Sequence, residues 1–207
     1  MWQGDFRRKI IRGNKMKNKV IIIEGAQGVG KGTITNILRE QMPYTNLLRL
    51  SGTSDKTAEG KEKVYNIRIA ELDMIRNSRF CDINFILDRS YLSEVVYCKI
   101  GYKDYTFEEE SLNLNNFLNE LTNYYDVYVL VLTATPEEFE KRLKRDKPEF
   151  LNLKFNPDSS IRQQEAYLEE MRNLKRTYPT INCHEVPTSG RDPYDIAYDI
   201  LSVVRRD

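Results

Sequence analysis

The chain has only three cysteines and one histidine among 207 residues. Cys81, Cys98 and Cys183 lie far apart, with His184 beside the last. Such scatter excludes a metal-ligand spacing and a disulfide framework, reads as three small buried hydrophobes, and fits a reducing compartment. Long apolar runs are also missing: none approaches the ~20 residues a spanning helix needs. No long apolar stretch follows the basic start, so no secretory signal is read and a cytoplasmic location is expected. Internal repeats and low-complexity tracts are absent too.

What is present is ordinary globular composition, 40% apolar and 30% charged, in a length that favours one sizeable core. The net charge of +1 is unevenly placed. Residues 1–19 hold seven Lys/Arg (Arg7, Arg8, Lys9, Arg12, Lys15, Lys17, Lys19) against Asp5, a net +6, which leaves −5 for the rest. A basic arm suits nucleic acid and equally a solvated extension. The acidic remainder speaks against a nucleic-acid-binding protein, so neither stable nucleic acid nor a membrane is an expected partner. Residues 1–16 are expected to be a flexible basic extension, and 17–207 the folded domain.

Short β-branched runs alternate with helical patterns along that domain. Strands are expected at 19–24, 46–50, 83–88, 126–133 and 181–186. Helices are expected at 33–41, 63–79, 92–100, 107–124, 136–145, 160–178 and 192–204. Residues 51–60 read as a turn-rich connection, and 146–158 as polar and aperiodic. The alternation implies βαβ units and a mostly parallel sheet covered on both faces.

One stretch carries chemistry. Gly25-Ala26-Gln27-Gly28-Val29-Gly30-Lys31 satisfies G-x-x-x-x-G-K between a buried strand and a helix start. Glycines let backbone N–H groups turn toward phosphate oxygens, and the helix N-terminus adds partial positive charge. Lys31 can bridge β- and γ-phosphates. A dinucleotide fold fails, because Thr33 stands where G-x-G-x-x-G needs its third glycine and no acid ends the second strand. Asp88 ends the third strand, at the sheet's carboxyl edge, and is the natural carboxylate for Mg²⁺ or its waters. Arg89 can fork onto a phosphate. Lys141, Arg142, Lys144, Arg145 and Lys147 form a second basic cluster; beside a phosphate loop, such cations can close over a transferring group.

With these residues in view, the chain resembles the P-loop nucleoside and nucleotide kinases, over about residues 17–204 and especially in the thymidylate kinase and deoxynucleoside kinase branch. "IIIEGAQGVGKGT" is similar to that branch's E-G-x-x-G-x-G-K opening. "LDRSYLSEVVY" is similar to D-R-Y-x-x-S-S-x-x-Y at Asp88, Arg89, Ser93 and Tyr97, and "RLSGT" resembles R-E-P-G-G-T at Arg49 and a Gly-Thr pair. "FEKRLKRDK" looks like the helix leading into the lid, "QEAYLEEM" like the helix after it, and "SGRDPYDIAYDI" like the adenine-side loop and last helix. The resemblance implies an α/β three-layer P-loop kinase fold with a five-stranded parallel sheet of order 2-3-1-4-5, helices on both faces and a lid at about 142–160. It implies ATP in the loop together with Mg²⁺, Arg142 stacking on adenine, Arg145 in the lid, and Arg49, Arg68 and Arg89 facing the acceptor. Ser93 and Tyr97 join the acceptor side through the same motif. Such proteins are often dimers.

Departures sharpen the expectation. Leu50 replaces the family glutamate, Ser90 replaces a tyrosine, and no carboxylate directly follows Leu50; Asp55 is the nearest. A nucleoside hydroxyl wants a base there, whereas an ionised monophosphate wants cations instead. Gly32 gives G-K-G-T, which looks like nucleoside monophosphate kinases, and leaves Thr33 with Asp88 as the expected metal contacts. The expected activity is ATP-dependent transfer to a (deoxy)nucleoside monophosphate, with Lys31, Asp88, Arg89 and Arg145 as the catalytic set. A deoxynucleoside kinase is the second reading and a non-enzymatic nucleotide-binding switch the third, though no guanine-recognition signature supports a GTPase.

Overall fold

β-Branched runs too short for helices become five strands, and amphipathic segments between them become seven helices. The computed structural model describes residues 17–50, 52–146 and 156–206. The basic extension 1–16, Lys147 and the middle of the expected lid lie outside these residues. In chain order the elements are β1 (Asn18–Gly25), α1 (Lys31–Gln41), β2 (Thr45–Leu48), α2 (Ala58–Asn77), β3 (Asn84–Asp88), α3 (Leu92–Lys99), α4 (Glu108–Leu121), β4 (Tyr125–Thr133), α5 (Pro136–Asp146), α6 (Pro157–Thr177), β5 (Asn182–Pro187) and α7 (Pro193–Arg206). All pairings are parallel, in the expected order β2-β3-β1-β4-β5.

The two-residue period of the strands builds two cores. Val20 and Ile22 of β1, with Val127, Val129 and Val131 of β4, pack against α2, α3, α4 and α6. Ile21 and Ile23, with Tyr128, Leu130 and Leu132, pack against α1, α5 and α7. Both faces being dry explains why β1 and β4 read as continuous apolar runs rather than alternating ones.

Three helices start earlier than the sequence suggests: α1 at Lys31, α2 and α6. α2 begins at Ala58 inside the turn-rich stretch because Thr57 caps it, its hydroxyl accepting from the Gly60 N–H. Gly60 fits there because Asp55 fills the place of a Cβ, 2.7 Å away. α6 begins at Pro157 after Asn156, whose side chain accepts from the Ser159 N–H at 2.7 Å. Cap chemistry looks like loop composition until the partner N–H is known.

Register fixes the site. Ile23 pairs with Asp88 and Gly25 with Leu132, so the loop after β1 and the turn after β3 emerge side by side at the carboxyl edge. Gly25 takes φ +141°, and a Cβ there would lie 2.7 Å from the Leu132 carbonyl oxygen. Gly190 also has positive φ, +67°, but open space around it. Gly190→Ala is therefore expected to lose about 1 kcal/mol of stability from backbone strain alone, and Gly25→Ala about 3 kcal/mol because backbone must also shift. Urea titration of both variants checks this; equal losses would show that β1 and β4 can part freely.

Candidate active site

A cleft of about 740 Å³ opens at this edge. Its walls are residues 27–33, the Asp88–Arg89 turn, the α5 residues Glu138, Arg142 and Arg145, and the β5–α7 connection with Thr188, Gly190 and Arg191. The sequence-expected loop, the carboxylate, the adjoining arginine and the two lid arginines thus share one cavity. Gly190, Arg191 and Pro193 bring the "SGRDP" segment to the same wall.

α1 begins without a side-chain cap and without an acid in its first turn. Gly30, in the left-handed region at φ +97°, brings the chain into the helix. The first N–H groups of α1 have no acceptor within the helix, so its positive pole faces the cleft. Lys31 Nζ donates to the Gly25 carbonyl at 2.6 Å and the Ala26 carbonyl at 2.8 Å. Folded onto the strand end, the ammonium lies within the loop.

Arg89 is held along one edge. Its Nη1 donates to Tyr167 at 2.8 Å, Ser93 at 3.2 Å and the Gly25 carbonyl at 3.5 Å. Nε and Nη2 bond no described residue, and Arg89 lines the cleft, so a two-pronged donor edge remains for an anion. Ser93 has one hydroxyl proton and gives it to Glu24 at 2.8 Å. The bond between Tyr167 and Ser93, also 2.8 Å, therefore has Tyr167 as donor. Glu24 closes the chain and also accepts from Ser90 N–H and Oγ, both at 2.7 Å. Burial works against the arginine's charge, but Tyr167, Tyr97, Glu24 and Asp88 outweigh it and raise its pKa. Burial raises the Tyr167 phenol well above its ordinary range, so it stays a donor.

Asp88 is met from α1 and from the coil after β2. Arg49 Nε donates to Asp88 Oδ2 at 3.1 Å, and its Nη2 reaches the Gly32 carbonyl, Thr35 Oγ1 and Asn36 Oδ1 at 3.3, 3.0 and 2.6 Å. The hydroxyl beside Asp88 belongs to Thr35, at 3.3 Å, and not to Thr33. Helix periodicity separates the two: Thr35 turns inward and is fully buried, whereas Thr33 is exposed and lines the cleft. A Cβ on Gly32 would stand 4.0 Å from Asp88 Oδ2.

Arg142 is locked flat across the cleft wall. Nε pairs with Glu138 at 2.7 Å, Nη1 donates to the Val29 carbonyl and Thr188 Oγ1, and Nη2 donates to the Thr188 carbonyl. A planar cation held by its edges offers a face for stacking.

Three expected acceptor residues sit elsewhere. Arg68 is 3% exposed, paired with Glu71 at 2.9 Å and donating to the Leu50 carbonyl at 2.9 Å. It holds the chain after β2 and does not line the cleft. Ser93 is buried in the Glu24 chain rather than open to a ligand. Tyr97 stacks on Tyr102 with centroids 5.9 Å apart and lies under the Arg89 guanidinium. Sequence reasoning missed Glu24, Tyr167, Thr188 and Glu138; the only available signal was Glu24 itself, a charged residue ending an otherwise apolar strand.

Sheet order, phosphate loop and the Asp-Arg turn after β3 make this a P-loop kinase fold. No protein-family model matches the sequence, and no curated protein sequence matches it. Solved structures do. A deoxyadenosine kinase from M. mycoides with bound dATP is similar with a TM-score of 0.60 at 18% identity, over 90% of this chain and 99% of that one. A thymidylate kinase from Candida albicans gives 0.56 at 18%, over 92% of each chain. Polyphosphate Kinase 2 from Arthrobacter aurescens TC1 gives 0.61 at 15%, over 93% of this chain and 70% of that one.

The Arg68–Glu71 pair yields a pH-dependent expectation. Burial raises the Glu71 pKa above 4.5, and Arg68 holds it down. Removing Arg68 lifts it further. A carboxyl raised by folding costs nothing below the unfolded pKa and costs more as pH climbs above it. The destabilisation of Arg68→Met is therefore expected to grow from pH 4.5 toward 7, reaching about 3 kcal/mol. Unfolding midpoints across that range check it; a pH-independent loss would assign Arg68 a packing role alone.

Proposed function

We propose that the protein is an ATP-dependent phosphotransferase whose acceptor is a (deoxy)nucleoside monophosphate. The observation that carries this reading is one cleft holding an uncapped helix start, Lys31, Asp88 and the open edge of Arg89. The loop amides and Lys31 hold the donor phosphates. Arg142 presents its face to the adenine. Arg89 grips the acceptor phosphate with Nε and Nη2. Arg49 and Arg145 supply further positive charge as the three phosphates converge.

Mg²⁺ fits this donor set. Among the described residues no cluster of three or more metal-ligating side chains exists, while one carboxylate faces a phosphate cradle, which suits an ion that takes its other oxygens from phosphates and water. Asp88 would hold it, with Thr33 on the same cleft wall. Held by Asp88, such an ion would supply neutralisation of the charge that develops on the transferring phosphate.

A specific observation favours a monophosphate over a nucleoside. The carboxylate nearest to Leu50, Asp55, accepts from Thr57 N–H at 2.8 Å and Oγ1 at 2.7 Å, and these bonds lower its pKa. It holds Thr57, the N-cap residue of α2, and is a poor proton acceptor. Glu94 is likewise engaged, by Lys103 at 3.0 Å and by Tyr105. An already ionised phosphate needs neither. No helix among the described residues is long and apolar enough to cross a membrane, in keeping with small-molecule chemistry in solution.

A coupled ADP-release assay over dTMP, other monophosphates, thymidine and deoxyadenosine tests the proposal. Turnover is expected with a monophosphate. Turnover with nucleosides alone would replace the acceptor, and ATP binding without acceptor-dependent turnover would favour a switch. Lys31→Ala is expected to lower kcat by ~10² with little change in thermal unfolding, because its role is electrostatic; unchanged turnover would remove the loop from the mechanism.

A further inference from the structure

α6 carries a polar row through the dry interior. Ser160, Gln163 and Tyr167 are spaced by three and four residues, so they share one helix face. All are buried, at 0, 2 and 1% exposure. Apolar residues would fill those places without a desolvation cost, so each polar group must be answered. The partners belong to the two halves of the cleft. Ser160 Oγ donates to the Gln27 carbonyl at 3.0 Å, and the Gln27 N–H donates to Gln163 Oε1 at 3.3 Å. Tyr167 accepts from Arg89 and donates to Ser93.

We infer that α6 sets the separation and tilt of the donor loop relative to Arg89, with Ser160 and Gln163 as positioning residues for the loop and Tyr167 as the positioning residue for the arginine. The kinetic consequences rest on the phosphotransferase reading; the contacts do not.

Three features support the assignment. Arg89 itself has φ +78°, a conformation that a non-glycine residue keeps only when its surroundings over-determine it. The chain Arg89–Tyr167–Ser93–Glu24 runs donor to acceptor without a gap and ends on a buried carboxylate, so each bond polarises the next. Finally, both attachments lie within two turns of one rigid helix, and its register is pinned further by the adjacent Gln164, which accepts from the Ala134 N–H at 2.7 Å and donates to its carbonyl. A transferring phosphoryl group tolerates little error: a displacement near 1 Å costs on the order of 10²-fold in rate.

The test separates the two attachments in the full-length chain. Mant-ATP titration reads donor affinity, steady-state kinetics with dTMP reads KM and kcat, and the arginine side-chain ¹⁵N spectrum reads Arg89 without turnover, its signals assigned through Arg89→Lys. Tyr167→Phe keeps the ring and removes one oxygen. It is expected to leave the mant-ATP Kd within about twofold, raise the acceptor KM or lower kcat about tenfold, and collapse the slowly exchanging Nη signals of Arg89. Ser93→Ala cuts the same chain from its other side and should reproduce that pattern. Ser160→Ala combined with Gln163→Leu is expected to raise the mant-ATP Kd about tenfold and leave the Arg89 signals unchanged. Overlapping effects from the two sets, or an Arg89 spectrum indifferent to Tyr167→Phe, would overturn the inference. Should Arg89 respond as expected while no acceptor turns over, the positioning role stands and the proposed acceptor chemistry falls.

Discussion

Glu24 ends the central strand with a carboxylate that has no exposure, a placement that costs several kcal/mol unless its oxygens are answered. The answer shapes the site. Ser90, in the turn after β3, satisfies one oxygen twice, and Ser93, in the first turn of α3, satisfies the other. Parallel pairing of Ile23 with Asp88 brings that turn within reach of Glu24. The carboxylate thereby ties the phosphate loop's strand to the neighbouring turn, holds Arg89 in its left-handed conformation, and supplies the negative charge toward which the Tyr167–Ser93 chain is polarised. Remove it, and the Tyr167–Ser93 chain loses its final acceptor and the Ser90 turn its tie to β1.

A second constraint is the balance around Asp88. With 13% of its side chain exposed, it is paired with Arg49, which also spans the first turns of α1. Gly32 borders this contact. Its carbonyl takes the guanidinium, and the missing side chain leaves space beside Asp88 Oδ2. The G-K-G-T form is thus more than a lost hydroxyl: the residue after Lys31 is small where an arginine from another element approaches. Arg49 Nε takes the Oδ2 edge of Asp88, and its Nη2 is spread over three acceptors of α1.

The similar solved structures are named for kinases of a nucleoside, a nucleotide and polyphosphate, at 15–18% identity. That likeness shows the fold and leaves the acceptor open. What narrows the acceptor is local: the engaged state of Asp55 and Glu94 and the open edge of Arg89. Lys103 adds to this by bonding the Thr53 carbonyl at 2.7 Å as well as Glu94, so the connection after β2 is strapped to the segment after α3 by buried charge.

Legibility in the sequence followed interaction range. β1, β4 and the phosphate loop were readable because their signals are contiguous: buried parallel strands are unbroken apolar runs, and the loop is seven residues in register. Asp88 and Arg89 were readable because a charge abruptly ended such a run. β2 was placed but overextended to Leu50, since an apolar residue after a strand looks like more strand; Leu50 is in fact 38% exposed. Arg68 looked like a ligand-facing helix charge because nothing in "YNIRIAEL" says that Glu71 and the Leu50 carbonyl lie on the same side. Tyr167 and Gln163 were invisible for the opposite reason. On a long charged helix they look like a core tyrosine and a surface glutamine, and their meaning arises only when Gln27, 136 positions away, and Arg89, 78 away, are folded against that face. The phosphate loop is written locally because it is one contiguous segment; the aim of Arg89 is written across the fold, because one loop is too short to hold a guanidinium along an edge.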